Sequence, residues 1–169
     1  MAKAREVEGL DGSAPFRAAA AAVVAVRADE LFAHAAGVLD VDDIERVHDM
    51  RVATRRLRAV LEIFAVCFPV RAHRDVLRDV KALADALGER RDPDVQIAAL
   101  EAHAEGAPAE DRPGIEVLVG RLRAEQSGAN ADLAVALIEV ERSDLRGRLA
   151  GLARAAGRDP DRAETGSGA

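Results

Sequence analysis

From Phe16 to Leu152 apolar residues return every three to four positions, the period of a helix with one buried face. Breaks in that pattern predict the elements. A first helix runs from about Pro15 to Ala36, with Pro in the first turn and Gly37 as its stop. A second follows a capping carboxylate at Asp40, Asp42 or Asp43 and reaches about Phe68, just before Pro69. A third spans roughly Ala72 to Leu87 and ends at Gly88. Asp92-Pro93 restarts a fourth, which reaches about Ala104 before the break at Gly106-Ala107-Pro108. Two more are predicted near Pro113–Ser127 and Ala129–Leu152. The fold class is therefore an all-α bundle of about five to six helices. Residues 1–14 read as a flexible leader, 15–155 as the helical domain and 156–169 as a disordered tail.

On a helical wheel of the second segment, Met50, Ala53, Leu57, Val60, Leu61, Phe64 and Phe68 share the face that must be buried. His48, Arg51, Arg55 and Arg58, spaced by three, four and three, fall on a separate stripe, and Arg56 sits apart from it. Like charges at this spacing repel, and a purely structural helix would interleave Glu. Here the first acid on the stripe is Glu62, at its end. Such a row is explained by an external anion, and arginine suits phosphate because its planar fork donates paired hydrogen bonds. It is explained equally by a solvated face, or by acids on neighbouring helices. The third segment repeats the arrangement. Val76, Val80, Leu83 and Leu87 form its apolar face; Arg74, Arg78 and Lys81 lie opposite, followed by Asp85. An antiparallel pairing of the two helices would let both basic stripes line one groove.

Composition changes this picture little; charge changes it more. The 169 residues are 49% hydrophobic but only 2% aromatic, with no Trp or Tyr, which suits packed helices better than a β-sandwich. The single Cys67 excludes an internal disulfide and is expected as a buried free thiol. The net charge of -6 argues against a general nucleic-acid binder. Yet the stretch 46–91 holds eleven Arg or Lys against six acids, while the remainder holds thirteen against twenty-four. A basic segment in an acidic protein points to a localised anion site. The apolar run Ala18–Val26 is too short to span a membrane, and the first dozen residues lack a signal-peptide core, so a cytoplasmic location is expected.

The run His48-Asp-Met-Arg51-Val-Ala-Thr-Arg55-Arg56-Leu57-Arg58 closely resembles the signature helix of the CHAD family, the conserved histidine α-helical domain. Leu87-Gly88-Glu-Arg-Arg91-Asp92-Pro-Asp94-Val95 resembles that family's second marker, in the expected order and separation. The resemblance covers about residues 15–155, with its sharp motifs confined to 46–95. It implies an all-helical fold whose basic side chains hold inorganic polyphosphate without catalysis, and an association with polyphosphate granules. By motif position it makes His48, Arg51, Arg55, Arg56 and Arg58 ligand-facing, with Lys81 and Arg91 as additions; Arg74 and Arg78 join from the wheel alone. Asp92 and Asp94 are expected to cap the fourth helix or to orient Arg91. The chain carries one signature helix where the family has two, so it resembles half of a CHAD domain, and two copies pairing across a two-fold axis would supply the missing wall.

The rival readings are weaker. His34, His48, His73 and His103 include no pair at ligand spacing on one helix, so no metal site or other cofactor is expected. No Gly-rich phosphate loop and no gathered carboxylates support hydrolysis. A nucleic-acid backbone fits the arginines, but stacking aromatics are missing. A structural or partner-binding bundle remains as the alternative. If His48 contributes as a cation, binding should weaken as pH rises from about 6 to about 8.

Overall fold

Helices dominate because the apolar stripes can only be buried against one another. The computed structural model describes residues 3–10 and 12–158. It is an all-α bundle: α1 (Phe16–Ala33), α2 (Ile44–Ile63), α3 (Val70–Gly106), α4 (Arg112–Arg142) and α5 (Leu145–Gly157), with one 3-10 turn, Ala65–Cys67. The long α3 is the spine, packed against both α2 and α4, while α1 packs against α2 and α5. The predicted faces meet in one core. Met50, Ala53, Leu57 and Leu61 of α2 and Val76, Val80, Leu83 and Leu87 of α3 are buried together with Leu31, Leu133, Leu145 and Leu149, and Val60 and Phe64 pack against them. Cys67 is buried and free. Among the described residues no helix is long and apolar enough to cross a membrane.

Several predicted boundaries move. The first helix stops at Ala33 rather than Ala36. Gly37 lies beyond it at φ 72°, where a Cβ would come within 2.8 Å of Arg46 Nη1, because Arg46 reaches back to donate to the Ala36 carbonyl at 3.1 Å. Asp43 is the residue before α2, but its carboxylate bonds Arg46 Nε at 2.8 Å instead of capping the helix. The second helix ends at Ile63 rather than Phe68. Phe68 is extended, as a residue preceding proline tends to be, and the 3-10 turn fills the interval. That reversal is locked by His73 Nε2 donating to the Leu61 carbonyl (2.9 Å) and by Arg17 donating to the Cys67 carbonyl (3.0 Å).

The larger corrections concern breaks that do not occur. Gly88 and Asp92-Pro93 do not divide a third helix from a fourth; both lie inside the 37-residue α3. Gly128 likewise lies inside α4. An internal Gly costs about 1 kcal/mol against Ala and an internal Pro about 3. Packing along the length of α3 and α4 outweighs both. The true break comes at Ser143-Asp144. Asp144 adopts a left-handed conformation (φ 48°) and its carboxylate accepts the Gly147 N–H at 3.0 Å, capping α5. A Cβ on Gly147 would lie 2.1 Å from Asp144 Oδ2, so this cap requires glycine there.

Asp94 is not a cap but part of a buried polar joint. Arg90, wholly buried, donates to Asp94 and to Asn130 Oδ1 (3.0 Å); Gln126 donates to Asp94 Oδ1 (2.6 Å). Asn130 Nδ2 then bonds the Leu39 carbonyl at 3.1 Å, so the joint ties α3 and α4 to the loop before α2. At the chain start, the Arg5 N–H and Arg27 both bond the buried Glu30 carboxylate. Burial pushes Glu30 up, but these bonds, with the charges of Arg27 and Arg56, leave it below the ordinary carboxylate range. Of the expected tail, residues 156–158 are described and Ala156 is buried in α5; 159–169 lie outside the described residues.

Candidate functional site

Two antiparallel helices with small residues at their contact leave a trough. Between α2 and α3 this trough is an open cleft of about 650 Å³. Ala59, Ala84 and Gly88 are its small lining residues, and α2 contributes Arg51, Arg55 and Arg58. Their four-and-three spacing keeps them on one face, away from the buried Met50–Leu57–Leu61 stripe. Arg51 and Arg58 are half-buried and Arg55 is exposed. Among the described residues Arg51 and Arg55 make no ion pair or side-chain hydrogen bond. Arg58 Nε bonds Glu62 Oε1 at 3.1 Å, and Lys81 Nζ reaches the same oxygen at 3.2 Å. Hydrogen bonds from Arg58 and Lys81 hold the Glu62 carboxyl below its ordinary range.

The α3 side is not the second basic stripe that the sequence suggests. It presents Asp85, Glu89 and Asp92, spaced by four and three like the arginines opposite. Contacts between the two helices run antiparallel: His73 meets the Leu61 carbonyl, Lys81 meets Glu62, and Arg91 meets Glu45 and the Ile44 carbonyl. No ion pair within 4.0 Å joins the two rows among the described residues. Arg74 and Arg78 do not line this cleft; Arg78 lines a separate one between α3, α4 and α5. Arg74 lies 3.9 Å from Asp75, and Arg78 pairs with Asp75 (3.5 Å) and Asp79 (3.1 Å).

The remaining expected residues are dispersed. Arg56 lies toward α1, where its charge acts on Glu30, and does not line the cleft. Arg91 is only 15% exposed; it donates to the Ile44 carbonyl at 3.4 Å and lies 3.9 Å from both Glu45 and Asp94. It thus pins the start of α2 to α3 rather than facing a ligand. His48 also lies off the cleft lining. Glu45, His48 and Asp49 each offer a ligand atom within 4.8 Å of the others, a grouping that could hold a cation. Counting only His pairs missed this trio, although its i, i+3, i+4 spacing is plain in the sequence. Asp85, Glu89 and Asp92 share one face only because a single unbroken helix carries all three, and their spacing alone does not say which element that face meets.

The cleft offers the guanidinium groups of Arg51 and Arg55, suited to phosphate oxygens, beside that of Arg58, which is paired with Glu62, and it also holds the α3 carboxylates. Comparison with known proteins bears on this arrangement. A family model described as "CHAD domain" matches residues 22–168. No curated protein and no solved structure gives a significant match.

Proposed function

The chain belongs to the CHAD family, and on that premise we propose that it binds inorganic polyphosphate, or a similar phosphate-rich polyanion, along the arginine row of α2 without turning it over. Domains of this family are generally binding modules. The observation that carries the reading is the state of Arg51 and Arg55. Both line an open cleft, and neither has an ion-pair partner among the described residues. Arg58, at the end of the row, and Lys81 of α3 share a single exposed carboxylate, Glu62. A chain of phosphates would meet the row as a multivalent charge partner, gaining affinity by releasing its condensed counterions. Titration of the protein with long-chain polyphosphate at two salt concentrations tests the reading. Saturable binding that weakens steeply with salt is expected; no binding at low salt would overturn it.

A second reading has one observation in its favour. The acids on α3 match the arginines in number and spacing, so the two rows could serve only to neutralise each other across the helix pair. The open distance between them weighs against it. Rows built for mutual neutralisation would close to ion-pair contact, as Arg58, Glu62 and Lys81 do.

A further inference from the structure

Single apolar side chains in water are ordinary on a folded surface; several gathered in one place are not. Among the described residues the three most exposed large apolar side chains are Val70 (83%), Val66 (79%) and Ile63 (66%). All three fall within eight residues, where α2 ends, the 3-10 turn follows and α3 begins. Phe16, 54% exposed at the start of α1, joins them. Its ring packs on Phe64 with centroids 4.8 Å apart, and Arg17 beside it donates to the Cys67 carbonyl at 3.0 Å. Pro69 is exposed as well, while Cys67 and Phe68 of the same turn are buried in the core. One end of the bundle is therefore an apolar tip, and the bond from His73 to the Leu61 carbonyl holds its turn in place.

The charges beside this tip favour one kind of occupant. Arg17, Arg71 and Arg74 are all exposed. Among the described residues Arg17 and Arg71 have no ion pair, and Arg74 has only Asp75 at 3.9 Å. The two acids nearby are engaged elsewhere, Glu62 by Arg58 and Lys81, and Asp75 by Arg78. A second copy seated tip to tip would set arginines against arginines. An anionic lipid surface meets both parts at once. Apolar side chains enter the boundary between headgroups and acyl chains, and guanidinium forks take the lipid phosphates.

We propose that this tip docks the protein on an anionic lipid surface, with Phe16, Ile63, Val66 and Val70 inserted and Arg17, Arg71 and Arg74 on the phosphates. The protein lies on such a surface without crossing it; among the described residues no helix is long and apolar enough to cross. The inference is independent of the polyanion reading, because none of these seven residues lines the cleft.

Sedimentation of the full chain with phosphatidylcholine vesicles, with and without about a third phosphatidylglycerol, tests it. The protein should sediment with the anionic vesicles and at least about tenfold more weakly with the neutral ones. Two variants separate the parts, both at exposed positions and both checked by circular dichroism. V66S/V70S adds no charge and should weaken vesicle binding about tenfold. R71E/R74E should abolish the preference for anionic lipid. R51E/R55E, which alters only the cleft, should bind vesicles as wild type does. No sedimentation with anionic vesicles overturns the inference. So does full binding by V66S/V70S, which would reduce the contact to charge alone, or loss of binding in R51E/R55E, which would move it to the cleft. A wild-type dimer that ignores vesicles and that V66S/V70S dissolves would give the tip to a second copy instead.

Discussion

Arg90 and Arg55 are the same residue type on two helices of one bundle, and they have opposite fates. Arg90 is wholly buried between α3 and α4, bonded to Asp94 and Asn130. Arg55 stands exposed in the cleft between α2 and α3, with carboxylates also in the lining but none within ion-pair reach. The difference lies in the neighbours. At the α3–α4 joint, Gln126 and Asn130 add hydrogen bonds to a charge pair taken out of water, although Arg90 Nη2 and Asp94 Oδ2 are left without a hydrogen-bond partner. At the α2–α3 trough, no acid of α3 comes within ion-pair distance of Arg51 or Arg55 among the described residues. An arginine with its partners built in serves the fold; one without them is available to a ligand.

The strongest way to break that comparison is Asp94→Ala. Arg90 would be left buried without its carboxylate, and removing one member of a buried pair costs about 3–5 kcal/mol. A urea melt should show this loss through a lower midpoint. A loss no larger than that of a surface substitution would mean that the joint does not hold α3 to α4.

The joint also marks what could be read in advance. The buried faces of α2 and α3 follow from spacing alone, and every residue predicted for them lies in or against the core. The basic row likewise follows from a single wheel, because Arg51, Arg55 and Arg58 lie on one helix. Helix ends did not follow. Gly88, Pro93 and Gly128 carry strong local stop signals, and long-range packing of α3 on α4 overrides them. The break that does occur, at Ser143-Asp144, has a capping residue that the sequence displays, masked by apolar periodicity running through it. The acidic wall was hidden for a different reason. Which residues of α3 face Arg51 depends on the register of two helices, and that is a tertiary fact. Tertiary packing likewise leaves Arg74 and Arg78 outside the cleft and Arg91 bracing α2.

A smaller effect sharpens the comparison at its boundary. Among the described residues Glu62 is the one acid within ion-pair reach of the arginine row. Its carboxyl sits below its ordinary range, bonded by Arg58 and Lys81, so any contribution to stability is present above the ordinary carboxylate value and is lost as pH falls through the depressed one. At neutral pH it therefore stays ionised and competes with a ligand. Glu62→Gln should free Arg58 and Lys81 and tighten polyphosphate binding a few-fold, about 1 kcal/mol or less for an exposed pair, as measured by calorimetry. Weaker binding would place Glu62 on the side of the ligand instead.

The central claim is that position in the cleft, rather than positive charge in general, makes an arginine a ligand group. Two double charge reversals with the same change in net charge test it side by side: R51E/R55E in the cleft and R74E/R78E on the α3 surface beyond it. With helicity checked by circular dichroism, R51E/R55E should reduce polyphosphate affinity by about a hundredfold or more, near 2.7 kcal/mol, while R74E/R78E should retain most of it. Equal losses from the two variants would contradict the account.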